Sequence, residues 1–165
     1  MRLGITGHRN FDDALALTWV ENAMREKLRD CLPIHGFTSL AKGADQIFAR
    51  VVIEFGGKLE AIIPFPGYGD QFDDPEESVG YRDLIGKCST MINLPFLGSR
   101  DKSYLAAGQY VADHCELLIA VWDGQPAAGI GGTADVVKYA LSKGRAIYQI
   151  NPLNRMAADI VQENS

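Results

Sequence analysis

The stretch from Leu117 to Ala140 constrains the fold more than any other part of the chain. It opens with six consecutive apolar residues, Leu117–Trp122, which is the pattern of a parallel strand buried on both faces. Asp123 and Gly124 end this run, and after a glycine-rich loop apolar residues recur at helical spacing from Val136. Strand, glycine loop and helix therefore follow in order, as in one unit of an open parallel sheet.

The glycine loop is a candidate anion site. Gly129, Gly131 and Gly132 lead directly into Thr133, where the helix is predicted to begin. The first N–H groups of a helix have no partner within the helix and lie at the positive end of its dipole, which suits a phosphate or carboxylate. Glycines in such a turn can also serve only tight packing, so the motif alone leaves both interpretations open.

The rest of the chain alternates between short apolar runs and helical patterns. The predicted strands are Arg2–Thr6, Phe37–Leu40, Leu59–Pro64, Thr90–Leu94, Leu117–Trp122 and Arg145–Ile150. This alternation predicts an α/β, Rossmann-like, doubly wound and mainly parallel sheet with helices on both faces. We expect one domain spanning residues 1–165.

Helix ends are predicted from capping patterns. Thr18 and Glu21 form a capping box, which predicts a first helix over about residues 18–31. Asp74 followed by Pro75 predicts another helix start. The segment from Pro66 through Asp74 reads as a loop that forms a lid or rim. The tail over residues 153–162 is interpreted as a short helix.

Composition narrows the classes of function. The 165 residues (18.0 kDa) are 47% hydrophobic, which is enough for a core without metal or disulfide support. The formal net charge is −5 and the cations are scattered, which disfavours nucleic acid as a partner.

The cysteines and the start of the chain predict the compartment. Three widely spaced cysteines without a CxxC pair predict a reducing cytoplasm and no zinc or other metal site. No signal peptide or membrane-spanning stretch is apparent, so a soluble cytoplasmic protein without membrane association is expected.

Three loops now fall at the carboxyl ends of predicted strands: TGHR (6–9), LAKGAD (40–45), and WDG (122–124) with GIGGTAD (129–135). Together they resemble the SLOG superfamily, which includes DNA-processing proteins, LOG phosphoribohydrolases and nucleotide-sensing domains. The resemblance implies a Rossmann-like pocket for a nucleotide or nucleotide derivative. It also implies a homo-oligomer, with a dimer expected. No cofactor beyond this nucleotide-type ligand is predicted.

One position departs from the LOG pattern PGGxGTxxE. When Gly132 and Thr133 are aligned with its GT, Val136 stands where that family has its catalytic Glu. Asp135 is one residue early, so on a helix it points about 100° away. The usual LOG activity is therefore not predicted, although Asp45 or Asp123 could substitute as the carboxylate, with His8 as proton donor.

The candidate ligand-binding residues all follow the predicted strand ends. They are Gly7, His8, Arg9, Gly43, Asp45, Trp122, Asp123, Gly124, Gly129, Gly131, Gly132 and Thr133. Arg9 suits a phosphate clamp or a surface salt bridge. Asp45 could accept a ribose hydroxyl or cap its own helix. Trp122 could stack on a base or pack in the core. Tyr104 and Gln109 are weaker candidates for a base contact.

These residues favour a binding module that senses or carries a nucleotide, with its phosphate at the glycine loop. The alternative is a hydrolase or transferase that acts on the N-glycosidic bond of nucleoside 5'-monophosphates or related ribosyl phosphates. A DNA-handling protein is a third hypothesis, which the acidic net charge disfavours.

Overall fold

The computed structural model describes residues 1–127 and 129–160. Its strands are β1 (Arg2–Gly7), β2 (His35–Thr38), β3 (Lys58–Ile63), β4 (Thr90–Asn93), β5 (Leu117–Val121), β6 (Ala146–Asn151) and β7 (Met156–Ile160). They form one sheet in the order β4-β3-β2-β1-β5-β6-β7. The ladders from β4 through β6 are parallel, and β7 pairs antiparallel with β6. The predicted mainly parallel α/β sheet is confirmed.

Helices cover both faces of this sheet. They are α1 (Ala14–Arg29), α2 (Ala44–Glu54), α3 (Pro75–Lys87), α4 (Arg100–His114) and α5 (Thr133–Ser142). Residues of α1, α2 and α3 share one hydrophobic core with the sheet, and residues of α4 and α5 share the other. The residues of β5 alternate between the two cores. The first core contains Leu117, Ile119 and Val121, and the second contains Leu118 and Ala120. The apolar run Leu117–Val121 is therefore buried on both faces, as predicted.

The predicted start of the first helix was wrong. Asp13, rather than Thr18, caps α1, because its carboxylate accepts the N–H of Ala16 at 2.7 Å. Thr18 lies inside the helix and donates its hydroxyl to the carbonyl of Ala14. A capping-box pattern inside a helix is thus overridden by an aspartate one turn earlier.

The predicted helix over the tail was also wrong. The side chain of Asn151 accepts the N–H groups of Leu153 and Asn154 and so closes a turn at the end of β6. The chain then returns as β7 along the otherwise open edge of β6, so hydrogen bonding to the sheet replaces a local helix. Residues 161 and 162 of that prediction lie outside the described residues.

The segment predicted as a lid or rim contains a short 3-10 helix, Tyr68–Gln71. Tyr68 is 1% exposed and packs edge-on against Phe65, Phe72 and Tyr81. This segment is therefore part of the first core. The next predicted boundary is correct, because Asp74 caps α3 and Pro75 is its first residue.

Candidate functional site

A cleft of about 660 Å³ opens at the carboxyl ends of β1 and β5. These two strands are neighbours in the sheet, but the chain reaches β5 only after winding outward through β2, β3 and β4. The crossovers that follow β1 and β5 lie on opposite faces, because α1 belongs to the first core and α5 to the second. Their loops therefore diverge and leave a crevice, which is where open α/β sheets bind ligands.

The cleft brings together residues from all three predicted loops. Ten of the candidates line it: Gly7, His8, Arg9, Asp45, Trp122, Asp123, Gly129, Gly131, Gly132 and Thr133. Gly43 lines a neighbouring groove instead, and Gly124 does not line the cleft. The sequence reasoning missed Ser39, Asp101 and Gln125, which also line it. Ser39 could have been inferred from its position beside the second loop, whereas Asp101 enters only through the packing of α4.

Two of the candidate glycines have a packing role. A methyl group on Gly7 would lie 2.5 Å from Cβ of Ala44. A methyl group on Gly43, whose φ is +84°, would lie 2.5 Å from the carbonyl oxygens of both His8 and Arg9. The N–H of Ala44 also donates to the His8 carbonyl at 3.1 Å. These glycines allow the first two loops to contact each other, which fixes the wall of the cleft.

His8 joins the ends of β1 and β5. Its Nε2 accepts the backbone N–H of Asp123 at 3.2 Å, and it lies 3.5 Å from Oδ1 of the Asp123 carboxylate. That hydrogen bond requires a neutral imidazole with Nε2 unprotonated. Asp123 is further held by Gln125, whose N–H it accepts at 2.9 Å, and by Asn151, which donates to its carbonyl at 3.3 Å. His8 could donate a proton from Nε2 only after losing the bond to Asp123.

Asp45 is a buried carboxyl in the wall of the cleft. It is 7% exposed, and its Oδ2 accepts the hydroxyl of Thr38 and the N–H of Ser39, both at 3.0 Å. Burial raises the pKa of Asp45 from 3.8 to about 6, although these hydrogen bonds and the charge of Arg9 oppose the shift. Asp45 therefore holds the second loop in place and changes its protonation state not far below neutral pH.

A carboxylate of α5 already accepts one of the backbone N–H groups of the glycine loop. The N–H of Gly131 donates to Oδ2 of Asp135 at 2.9 Å, so the chain itself supplies an anion at this amide. Gly131 has a φ of +85°, and a methyl group there would lie 2.6 Å from the carbonyl of Asp101. Gly132 caps α5 without a side-chain hydrogen bond. Among the described residues, the N–H groups of Gly132 and Thr133 have no acceptor, and they are the candidates left for an anion.

The position of the LOG glutamate is occupied by a packing residue. Val136 is 3% exposed and lies directly against Gly108 of α4, where a side chain would have no space. Ile5 and Val111 line the same floor. The bottom of the cleft is therefore apolar, and any carboxylate chemistry must come from its walls.

Arg9 is stacked on an aromatic ring instead of forming a salt bridge. Its guanidinium carbon lies 4.8 Å from the centroid of the Tyr104 ring, and the Tyr104 hydroxyl donates to Gln71 at 2.6 Å. None of the salt bridges of the described residues includes Arg9. Its hydrogen-bond donors therefore remain available for a ligand.

Trp122 is half-buried, with its indole N–H donated to the carbonyl of Gln125 at 2.8 Å. It packs against the second core while lining the cleft, so the two sequence-based interpretations of this residue are compatible. In the part of the chain that the structure describes, no cluster of side chains fits a metal ion, and no helix is long and apolar enough to cross a membrane.

Comparisons with known proteins rest on structure alone. No protein-family model matches the chain. No curated protein sequence matches it either. Solved structures do match: DNA processing protein A (DprA) from Streptococcus pneumoniae has a TM-score of 0.62 at 18% identity over 91% of this chain and 50% of that one.

Two other solved structures extend this likeness. DprA from Helicobacter pylori, whose structure is described in terms of its single-stranded DNA binding mode, has a TM-score of 0.65 at 13% identity over 92% of this chain. The Moco carrier protein from Chlamydomonas reinhardtii has a TM-score of 0.53 at 15% identity over 90% of this chain and 74% of that one. This chain spans only 50% and 65% of the two DprA chains.

At these identities the likeness concerns the fold. The sequence-based argument against nucleic acid gains no support from it, because two of the matching structures are DprA proteins. The resemblance inferred from the three loops is confirmed at the level of architecture: the chain has the Rossmann-like α/β fold of these solved structures.

Proposed function

We propose that the chain binds a nucleotide or nucleotide-derived ligand in the cleft between β1 and β5 and acts as a sensor or carrier domain. The observation that carries this proposal is the start of α5, where the N–H groups of Gly132 and Thr133 have no acceptor among the described residues. They face a cleft that is large enough for a nucleotide and lies at the switch point of the sheet. A phosphate there gains from the helix dipole and from the unpaired amides.

The remaining groups of the cleft fit the rest of such a ligand. Arg9 offers a guanidinium fork to a second phosphate oxygen, and Asp45 and Asp123 offer acceptors to ribose hydroxyls. Trp122 offers a ring to a base. The apolar floor at Val136 supports binding over bond cleavage, since the carboxylate of the LOG pattern is missing from it.

The test is a thermal-shift and calorimetric titration of the purified protein with nucleoside monophosphates, cyclic nucleotides and NAD derivatives. A ligand that binds only the folded form must raise the melting temperature. No shift at millimolar concentration with any of these compounds would count decisively against the proposal.

A variant at the first residue of α5 separates binding from folding. Thr133→Asp places a carboxylate where the phosphate is expected, yet an acidic residue in a first helical turn favours the helix by about 0.3–1 kcal/mol. We therefore expect lost binding with unchanged or raised stability. Thr18→Asp, an exposed threonine of α1, is the matched control. If Thr133→Asp binds as well as the parent protein, the phosphate does not lie at α5.

A second candidate, cleavage of an N-glycosidic bond, is favoured by one observation. Asp45 is a cleft carboxyl whose pKa is raised to about 6, which suits a group that exchanges protons near neutral pH. Incubation with nucleoside monophosphates and NAD, followed by chromatography of the free base, decides the question. Base release that Asp45→Asn or Asp123→Asn abolishes would establish the enzyme; release that neither variant affects would exclude both carboxylates.

Single-stranded DNA is the third candidate, and only the likeness to the two DprA structures favours it. Among the described residues that line the cleft are three aspartates, Asp45, Asp101 and Asp123, and one arginine, Arg9, a balance that opposes a phosphate backbone. Fluorescence anisotropy with a labelled oligonucleotide at two salt concentrations tests this candidate. Salt-sensitive binding at micromolar protein would favour it over a small nucleotide.

A further inference from the structure

A second cavity of about 480 Å³ lies beside the cleft, between the first turns of α1 and the side of α2. Its apolar lining includes Phe11, Leu17 and Ile47, and three cations stand around it: Arg9, Lys42 and Arg50. We refer to these six residues as the basic groove. Leu17 is 38% exposed and Ile47 is fully buried, so the groove has an apolar floor that reaches the surface.

Two of the three cations of the basic groove form no salt bridge within the described part of the chain. Lys42 is paired with Glu77, but no salt bridge of the described residues contains Arg9 or Arg50. The one carboxylate in its lining, Asp13, already accepts the N–H of Ala16 as the cap of α1. Two guanidinium groups without a salt bridge, beside apolar surface and in a chain of net charge −5, favour a ligand that is both anionic and aromatic.

Arg9 connects this groove to the cleft. It lines both cavities, and Gly43 of the groove lies directly against the carbonyls of His8 and Arg9, two residues that line the cleft. A ligand phosphate held by Arg9 would thus have one side toward the cleft and the other toward the groove. The cleft with its carboxylates is suited to sugar and base, whereas the groove carries the excess of positive charge.

We propose that the basic groove is a second subsite of the same binding site, and that the ligand class is a dinucleotide in which a pyrophosphate joins two nucleosides. This inference rests on the proposed nucleotide binding in the cleft. One nucleoside occupies the cleft, the pyrophosphate passes Arg9, and the second base lies on Phe11 and Leu17 with Arg50 beside its phosphate or ribose. A mononucleotide fills only half of this site.

The test compares ligands that differ only in the second half. AMP, ADP, diadenosine diphosphate, GMP, GDP, diguanosine diphosphate and NAD⁺ are titrated calorimetrically into the full chain. At least one dinucleotide is expected to bind about tenfold or more tightly than its matched mono- and diphosphate, which corresponds to about 1.4 kcal/mol. Equal affinity for a dinucleotide and its diphosphate would overturn the second subsite while leaving the proposed function intact. Binding of none of these compounds would overturn both.

Two variants locate the effect. Arg50→Gln and Leu17→Glu change exposed side chains of the groove and are expected to reduce dinucleotide affinity about tenfold, with mononucleotide affinity unchanged. Arg82→Gln, an exposed arginine of α3 outside both cavities, is the matched control and should change neither affinity. If both groove variants bind the dinucleotide like the parent protein, or if a single-stranded oligonucleotide binds where no dinucleotide does, the inference is wrong.

Discussion

Asp45 makes the stability of this protein depend on pH in a direction opposite to that of most native carboxylates. Its pKa is 3.8 in a solvated chain and about 6 in the fold, chiefly because the carboxyl is buried. The unfolded chain therefore releases this proton near pH 4, whereas the native protein keeps it until about pH 6. Between those values the native state binds more protons, so the free energy of unfolding falls as the pH rises. The stability that the native protein gains by keeping Asp45 protonated is fully present below pH 3.8 and is lost as the pH rises through about 6.

The size of the effect follows from the shift. A difference of about two pKa units corresponds to roughly 3 kcal/mol, which is a large part of the stability of a domain of this size. Asp45→Asn removes the titration, while its amide oxygen can still accept the Thr38 hydroxyl and the Ser39 N–H. The quantity to follow is the difference in free energy of unfolding between the parent protein and Asp45→Asn. We expect this difference, parent minus variant, to fall by about 3 kcal/mol between pH 3.5 and 7.5.

The measurement is denaturation by urea, followed by circular dichroism, at half-unit steps of pH over this range. Asp12→Asn, at an exposed aspartate of the neighbouring loop, is the matched control for the change in net charge. A constant offset from an imperfect asparagine hydrogen bond does not matter, because only the pH-dependent part is used. A difference that stays flat, or that rises with pH, would refute the argument that burial dominates at Asp45. A buried carboxyl that costs stability at neutral pH is expected where a site needs it.

Three further predictions concern packing and assembly. Gly7→Ala should lower the free energy of unfolding by about 1–3 kcal/mol, because the new methyl would lie 2.5 Å from Cβ of Ala44. Gly86→Ala on the open surface of α3 should stabilise, and equal effects at the two sites in urea denaturation would contradict this reasoning. Val136→Glu restores the LOG residue but buries a charge against Gly108. We therefore expect the free energy of unfolding to fall by about 3–5 kcal/mol, with no base release. A variant that folds and releases base would show that the floor of the cleft can open. Multi-angle light scattering at micromolar concentration should give at least twice 18.0 kDa, and a value of 18.0 kDa would exclude the expected homodimer.

The two sequence-based errors have different physical causes. Thr18 and Glu21 predict a helix start because they form a valid capping box in isolation. Asp13, however, lies where the chain leaves the loop after β1, and it caps the helix before Thr18 is reached. The sequence of the tail does not predict a strand, because a five-residue edge strand such as Met156–Ile160 has no stable structure without the edge of β6. The helix start is thus decided by a local cap, whereas the tail is decided by a neighbouring strand.

By itself, the sequence determined the parallel strands of the sheet, the helices on both of its faces and the loops that would meet. The apolar run Leu117–Val121 can satisfy its backbone and side chains only between two helical layers, and alternation with helical patterns then requires parallel strands whose carboxyl ends share one edge. The three loops after β1, β2 and β5 are therefore predicted to meet at one cleft, and residues of all three line it.

Only the tertiary structure decided what each side chain in that cleft is free to do. His8 is bound by a backbone amide 115 residues away in the chain. Arg9 stacks on Tyr104, an aromatic residue of α4 that packs against the first core. Such pairings depend on distances of about 3–5 Å between elements that are remote in the chain, and residue type and spacing do not encode those distances.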